Sequence, residues 1–262
     1  MKELPRCGNP RALTELRLVL EDYFGENVAA RYDETLGSWG DPAVVEPAVD
    51  FLAELAGGGA ALELGIGTGR IALPLAARGV RVHGIDLSEA MVARLRAKPG
   101  GDAVGVTIGD FATTRVDGTF TLAYLVFNTI MNLTTQDAQV ACFQNVAAHL
   151  ETGGCFVIEV AMPQLQRLPP GQTIHPFFYK SPTRFGFDEY DLANQGLISH
   201  HYAERDGMFG PRSAPFRYVW PSELDLMAQL AGMRRRERWS GWQREPFTSE
   251  SEKLVGVWEK PR

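Results

Sequence analysis

The sequence predicts an α/β fold: a doubly wound, mostly parallel sheet with helices on both faces, plus a small antiparallel β insertion late in the chain. Residues 60–86 read as strand, glycine-rich turn, helix and strand. Strand-like and helical patterns go on alternating up to residue 161, which is typical of a parallel sheet. Residues 162–220 differ, because dense prolines separate short alternating runs there, and this pattern favours hairpins.

The glycine-rich turn is the feature around which the chain is organised. It follows the apolar run Ala60–Leu64, which is short, as expected of a buried parallel strand. Gly65, Gly67 and Gly69 occupy alternate positions, where glycine permits a sharp turn and a close approach of a ligand to the backbone. After a helix and a second strand comes Asp86, so its carboxylate is expected beside the turn, at the carboxyl edge of the sheet.

The turn and its acidic neighbours indicate the kind of ligand. Arg70 stands where a dinucleotide fingerprint has its third glycine, and no lysine followed by serine or threonine marks a phosphate-binding loop. Glu63, just before the glycines, disfavours a pyrophosphate and suits a positively charged ligand. Asp86 can accept hydrogen bonds from two ribose hydroxyls. A phosphate-free nucleoside with a cationic tail meets these conditions, and S-adenosylmethionine (SAM) is such a molecule.

The order of motifs resembles that of the class I SAM-dependent methyltransferases. The first motif is Glu63-Leu-Gly-Ile-Gly-Thr-Gly-Arg70, and Asp86 matches the acidic ribose position. Gly109-Asp110-Phe111 matches the adenine motif. Phe127-Asn128-Thr129 follows the fourth strand, and Leu150–Gly154 precedes the fifth. These motifs agree in order and spacing over well under half of the chain.

The resemblance implies a Rossmann-like methyltransferase fold with a seven-stranded sheet, one of whose last two strands is antiparallel to the rest. It also implies that Asp110 accepts from the adenine amino group, that Phe111 stacks on the base, and that the segment around Tyr32 folds over the cofactor. The residues expected to bind SAM are Tyr32, Glu63, Gly65, Ile66, Gly67, Gly69, Arg70, Asp86, Leu87, Met91, Asp110, Phe111, Phe127 and Asn128.

Four segments are expected along the chain. Residues 1–41 form an N-terminal helical or lid segment, in which leucines at helical spacing predict a helix over 11–24. Residues 42–161 form the cofactor-binding α/β core, and residues 162–220 form the antiparallel insertion on the substrate side. Residues 221–262 supply a helix and the last two strands, which complete the core.

Strand boundaries are predicted from apolar and β-branched runs between turn signals. In the core, the fourth and fifth strands are expected over 119–127 and 155–161, because a glycine pair precedes the latter. In the insertion, strands are expected over 174–179, 184–190, 196–204 and 215–219.

The catalytic candidates are fewer than the binding candidates, because methyl transfer mainly requires that acceptor, methyl carbon and sulfur be aligned. His200 and His201 are adjacent in an expected strand, so they point to opposite faces and at most one faces the cleft. His175 is a third candidate base, and by the resemblance Tyr32 lies against the sulfonium or the carboxylate end of the cofactor. A packed or solvated side chain is the alternative for each of the histidines. Other residues that could line the substrate side are Tyr179, Glu189 and Tyr190.

Composition restricts the partners. The net charge of −6 and the pI of about 5.5 argue against a nucleic-acid acceptor, which usually leaves a basic footprint on a protein. Three widely spaced cysteines make neither a disulfide framework nor a metal site. No secretory signal and no apolar run of membrane-spanning length is recognised. The expectation is a cytoplasmic monomer or homodimer that binds a small-molecule substrate, with no metal, nucleic acid or membrane.

The sequence therefore favours a methyltransferase that moves a methyl group from SAM to an oxygen or nitrogen of a small molecule, with secondary metabolites as one source of acceptor. The aromatic-rich insertion favours a moderately apolar acceptor, such as an amino sugar, a polyketide or a peptide-derived metabolite. The alternative is a non-catalytic SAM-binding partner or sensor, in which side chains close the acceptor pocket. A nicotinamide-dependent reductase is disfavoured by the glycine spacing and by Glu63.

Overall fold

The computed structural model describes residues 24–178, 183–205 and 208–262. The chain divides into two compact units, and each is described by itself. The core unit comprises residues 24–163 and 219–262, and the insertion unit contains residues 164–218. The predicted helix over 11–24, apart from its last residue, and Tyr179 lie outside the described residues.

The strands of the described residues range in length from β3, with 4 residues, to β5, with 12. In chain order they are β1 Ala60–Leu64, β2 Arg81–Asp86, β3 Gly105–Ile108, β4 Phe120–Leu125, β5 Leu150–Ala161, β6 Ile174–Phe178, β7 Arg184–Asp191, β8 Gly196–Arg205, β9 Met208–Arg217, β10 Arg234–Trp239 and β11 Lys253–Glu259.

Within the described residues of the core unit, seven strands form one sheet in the order β10-β11-β5-β4-β1-β2-β3. The five strands from β5 to β3 in that order pair in parallel, and β11 pairs antiparallel with both β5 and β10. In the insertion unit β6, β7, β8 and β9 form a separate antiparallel sheet in sequence order. The predicted fold class is confirmed, including the antiparallel strand near the end of the chain.

The helices of the core unit are α1 Glu26–Ala29, α2 Tyr32–Thr35, α3 Pro42–Ala56, α4 Ala72–Ala77, α5 Glu89–Arg96, α6 Gln136–His149 and α7 Pro221–Leu230. Their ends follow local chemistry. The Asp41 side chain accepts from the amide of Ala43 at the start of α3, and Gly57 adopts the left-handed conformation at its end. Ser88 and Thr135 cap α5 and α6 in the same way. Of the helices in the described parts of the chain, none combines the length and the apolar character needed to cross a bilayer.

The centre of the core is β4, flanked by β1 and β5. Four consecutive residues of β4, Leu122–Leu125, are fully buried, as expected of a parallel strand covered on both faces. Next to it, Phe143 of α6 packs edge-on against Phe156 of β5 and Trp258 of β11, with ring centroids 5.0 and 5.7 Å away. This packing holds α6 against β5 and β11, and β5 in turn pairs with β4.

Three predicted boundaries were wrong. β5 begins at Leu150 rather than residue 155, because the glycine pair predicted as a turn continues the pairing: Gly153 donates to the carbonyl of Lys260. β4 ends at Leu125, because Phe127 already has a positive φ. β9 begins at Met208, seven residues before the predicted start, because prolines are tolerated in an edge strand.

Candidate active site

The candidate site lies at the carboxyl edge of the core sheet. Neighbouring strands β4, β1, β2 and β3 are parallel, so the segments that follow them meet along this edge. These segments contain the predicted cofactor residues Gly65–Gly69, Asp86–Leu87, Asp110–Phe111 and Phe127–Asn128.

The three glycines of the turn all have positive φ angles, of 72°, 55° and 80°, but for different reasons. A Cβ atom on Gly65 would lie 2.6 Å from Cγ2 of Thr129, so Gly65 permits contact with the segment after β4. Of the atoms in the described residues, a Cβ atom on Gly67 would meet only Cε of Met91, at 3.4 Å. Within that part of the chain, the space in front of Gly67 is therefore open to a ligand. Its amide donates to Oδ2 of Asp86, at 2.6 Å.

Asp86 joins the turn to the start of α5. While Oδ2 accepts from Gly67, Oδ1 accepts from the amide of Ser88 at 2.8 Å. Burial raises the pKa of Asp86, and hydrogen bonds from these amides and from Leu87 oppose the rise. Each carboxylate oxygen has a second lone pair, so the group can still accept from a diol such as ribose.

Glu63 is buried within β1, directly opposite Tyr124 of β4. The Tyr124 hydroxyl donates to Oε2 of Glu63 at 3.0 Å. Burial raises the pKa of Glu63 to about 8, while the hydrogen bond from Tyr124, the charge of Arg70 and a hydrogen bond from the amide of Ala72 oppose the rise, and Asp86 adds to it. In the free protein Glu63 is therefore neutral near pH 7, and a cation placed beside it would favour the carboxylate.

We expect Glu63 to make stability depend on pH. The ordinary pKa of a glutamic acid is 4.5, and that of Glu63 in the folded protein is about 8. Between these two pH values Glu63 is protonated in the folded state and ionised in the unfolded state. The stability of the wild type therefore falls as pH rises through this range. Glu63→Gln replaces the titratable carboxyl group with an amide of nearly the same shape. In denaturant titrations the free energy of unfolding of the variant should gain on wild type by up to roughly 1 kcal/mol per pH unit from pH 5 to 8. Parallel curves would contradict a neutral Glu63.

The segment after β4 has an unusual backbone. Phe127 and Asn128 both have positive φ angles, of 57° and 64°, which cost about 1–3 kcal/mol each in non-glycine residues. The Arg70 guanidinium lies 4.9 Å from the centroid of the Phe127 ring and donates to the carbonyl of Trp39 at 3.3 Å. The Trp39 ring meets Phe127 edge-on, with centroids 5.3 Å apart. Arg70 thus contacts aromatic residues from two distant parts of the sequence.

Residues before α3 also contact the glycine turn. In this segment the sequence singles out Tyr32, but not the contacts of its neighbour Asp33. Oδ1 of Asp33 accepts from the Thr68 hydroxyl at 2.6 Å. Lys98 lies 2.7 Å from Oδ2 of Asp33 and donates to the carbonyl of Thr68 at 2.8 Å. Tyr32, the predicted residue, is half-buried, and its ring meets Phe24 edge-on. Thr68 lies in the first motif but was not among the predicted binding residues, and Lys98 belongs to no recognised motif, so only the folded chain brings them together with Asp33.

The remaining cofactor candidates differ in how far their side chains are exposed. Ile66 and Met91 are buried, and Ile66 packs over Gly84 of β2, so Ile66 can meet a ligand only through its backbone. Leu87, by contrast, is 38% exposed at the tip of β2. At the tip of β3, Oδ1 of Asp110 accepts from the amide of Ala112 at 2.9 Å, and Phe111 is buried.

The candidate bases belong to the insertion unit, whereas the cofactor candidates belong to the core unit. His200 and His201 lie on opposite faces of β8. Nδ1 of His200 is 2.7 Å from the Ser213 hydroxyl, and Nε2 of His201 is 3.1 Å from the Ser199 hydroxyl. Burial and the charges of two arginines lower the pKa of His201 to about 4, so it is neutral at pH 7.

Next to this pair, His175 of β6 is opposite Asp188 of β7. Burial raises the pKa of Asp188, and a hydrogen bond from Ser199 together with the charges of His175 and His200 opposes the rise. Of the other residues named for the substrate side, Tyr190 is buried against Tyr218, and Glu189 lies 3.6 Å from Nε2 of His200.

The core edge fits SAM in two respects that are visible in its own residues. Among the described residues, the space in front of Gly67 is open where a side chain would fill it. The acids next to it, the buried Glu63 and the half-buried Asp86, would repel a phosphate when ionised and attract a cation. A cationic nucleoside is therefore favoured over a pyrophosphate.

Comparison with known proteins also indicates a methyltransferase. A family model described as "Methyltransferase domain" matches residues 61–154. A search of curated proteins finds no match. Among solved structures, the sugar N-methyltransferase KedS8 from Streptoalloteichus sp. is 17% identical, with 86% of this chain and 92% of that chain covered and a TM-score of 0.63. SAM-bound CalS10, an amino pentose methyltransferase from Micromonospora echinaspora, is 21% identical, with 82% and 91% covered and a TM-score of 0.63.

The CcbJ methyltransferase from Streptomyces caelestis is more similar. It is 35% identical, with 92% of this chain and 98% of that chain covered and a TM-score of 0.82. Identity at this level over nearly the whole of both chains indicates more than a shared fold. SAM is the cofactor, and the chain belongs to the class I S-adenosylmethionine-dependent methyltransferases.

Proposed function

We propose that this methyltransferase methylates an oxygen or nitrogen of a small-molecule acceptor, with secondary metabolites as one source. The observation that supports this most directly is the edge itself, where the glycine turn and Phe127 follow neighbouring strands. The buried Glu63, the half-buried Asp86 and the ring of Trp39 lie beside them. In this reading, Asp86 holds the ribose, Asp110 and Phe111 hold the adenine, and Glu63 lies on the cationic side of the cofactor.

SAM supplies a methyl group already activated by the positive sulfur, so the protein has little covalent chemistry to add. What the chain contributes is alignment and exclusion of water. The backbone of the glycine turn sets how close the cofactor lies to β1. The segment after β4, with the rings of Phe127 and Trp39, then provides an apolar boundary on the acceptor side.

The tip of β4 favours an acceptor that needs little help from a base. There, Oδ1 of Asn128 accepts from the amide of Ala161 at 2.6 Å, and the Thr129 hydroxyl donates to the carbonyl of Val126 at 2.7 Å. Neither group is an ordinary general base. A neutral amine can attack without one, whereas a hydroxyl would need one.

Transfer of labelled methyl groups tests the proposal. Purified protein is incubated with SAM labelled in its methyl group and a panel of amino sugars, phenols and small amines, and products are followed by mass spectrometry. Amino sugars come first, because CalS10 and KedS8 are described as acting on an amino pentose and a sugar. Saturable labelling of one acceptor class is expected. SAM binding of ordinary strength with no labelled product across the panel would instead favour the non-catalytic binding protein.

A further inference from the structure

The backbone after β4 has two consecutive non-glycine residues in the left-handed region, Phe127 and Asn128. Most side chains avoid this conformation, so the surrounding structure has to hold it in place. The segment lies where the proposed function puts the acceptor. The contacts that hold Phe127 and Asn128 in this conformation would therefore also affect how the acceptor is oriented.

Glu159, near the end of β5, accepts hydrogen bonds from the main-chain amides of both residues. Its Oε2 accepts from the amide of Phe127 at 3.0 Å, and its main-chain carbonyl accepts from the amide of Asn128 at 3.2 Å. Its side chain is only 12% exposed. One residue therefore binds both amides of the left-handed pair.

The second carboxylate oxygen of Glu159 is also occupied. Oε1 accepts from the indole N–H of Trp242 at 3.0 Å, and Nζ of Lys253 lies 3.9 Å away. Two N–H donors thus face the two oxygens. A carboxylate can accept from both, whereas an amide offers one oxygen and would place its own N–H groups against the other donor. This position requires an acidic residue, although no cofactor motif includes it.

We propose that Glu159 is a positioning residue for methyl transfer: by holding Phe127 and Asn128 in the left-handed conformation, it sets the orientation of the acceptor without binding the cofactor. The inference rests on the proposed function, because it assumes that the acceptor lies beyond the tip of β4. Glu159 itself is engaged by the protein and takes no part in the chemical step.

Three variants test this: Glu159→Gln, Trp242→Phe and the double variant. In Glu159→Gln, kcat for the acceptor should fall by about tenfold to a hundredfold, since small misplacements of reacting groups are costly. The dissociation constant for S-adenosylhomocysteine should rise by a much smaller factor than kcat falls, even though Phe127 and Asn128 are among the residues predicted to bind SAM. Trp242→Phe removes one donor but keeps an aromatic ring against Phe51. In the double variant the amide nitrogen of Gln meets no indole N–H, so most of the lost kcat should return.

Rescue separates positioning from a general loss of stability, because two destabilising changes would otherwise add. The proposal is overturned if the double variant is no faster than Glu159→Gln, or if cofactor affinity falls as much as kcat. Failure of the proposed function looks different, since wild type itself would then methylate nothing. In that case amide hydrogen exchange of Phe127 and Asn128 decides: faster exchange in Glu159→Gln, restored in the double variant, supports the role of Glu159, and unchanged exchange rejects it.

Discussion

Replacing Gly67 with alanine will weaken SAM binding by about a hundredfold, and replacing it with valine will bring binding below detection. The φ angle of Gly67 is 55°, and the one described atom within 4 Å of a Cβ atom there would be Cε of Met91, at 3.4 Å. The protein itself has room for that atom, so the substitution should reduce the affinity for a ligand that occupies this space. Isothermal titration calorimetry with SAM measures this affinity.

Gly57→Ala is the matched control. Gly57, at the end of α3, has a φ angle of 56°, and a Cβ atom on it would meet no atom of the described residues within 4 Å. Both alanine variants therefore suffer the same backbone strain, about 1–2 kcal/mol of the free energy of unfolding. The control should lose that stability and keep wild-type affinity for SAM. Equal affinities in the two variants would show that no ligand approaches the turn at Gly67.

Asp86→Ala should weaken SAM binding by roughly 2–3 kcal/mol, or about 30-fold to 150-fold, through the loss of two ribose hydrogen bonds. It should also destabilise the free protein by about 1–3 kcal/mol, because the amides of Gly67 and Ser88 lose their acceptor. Asp86→Asn keeps one acceptor oxygen, so its affinity should lie between those of wild type and Asp86→Ala.

Asp41→Ala controls for the structural part of this effect. Like Asp86, Asp41 uses Oδ1 to accept from the amide two residues later, here Ala43 at 3.0 Å, but it does so at the start of α3. Its loss should cost about 1 kcal/mol of stability and leave SAM affinity unchanged. If Asp86→Ala binds SAM as tightly as Asp41→Ala does, the ribose is held elsewhere.

The sequence predicted best where the structural requirement is local. The positive φ angles of Gly65, Gly67 and Gly69 follow from a turn that few other residues can make, and Asp86 ends its strand in the pattern itself. The alternation of strands and helices likewise determined the layered sheet, because burial on both faces requires apolar runs that are visible in the chain. The roles of the individual binding residues stay predictions, which the variants above test.

Tertiary structure decided which distant residues meet. The partner of Glu63 is Tyr124 because the register of β1 and β4 places them opposite each other, and that register depends on packing along both strands. The contacts of Glu159 with Phe127 and Trp242 join three segments in the same way. Such contacts arise only when the fold closes, since their geometry depends on the whole sheet and not on neighbours in sequence. The sequence alone thus determined the fold and the kind of ligand, and only the folded chain decided how the segment after β4 is held.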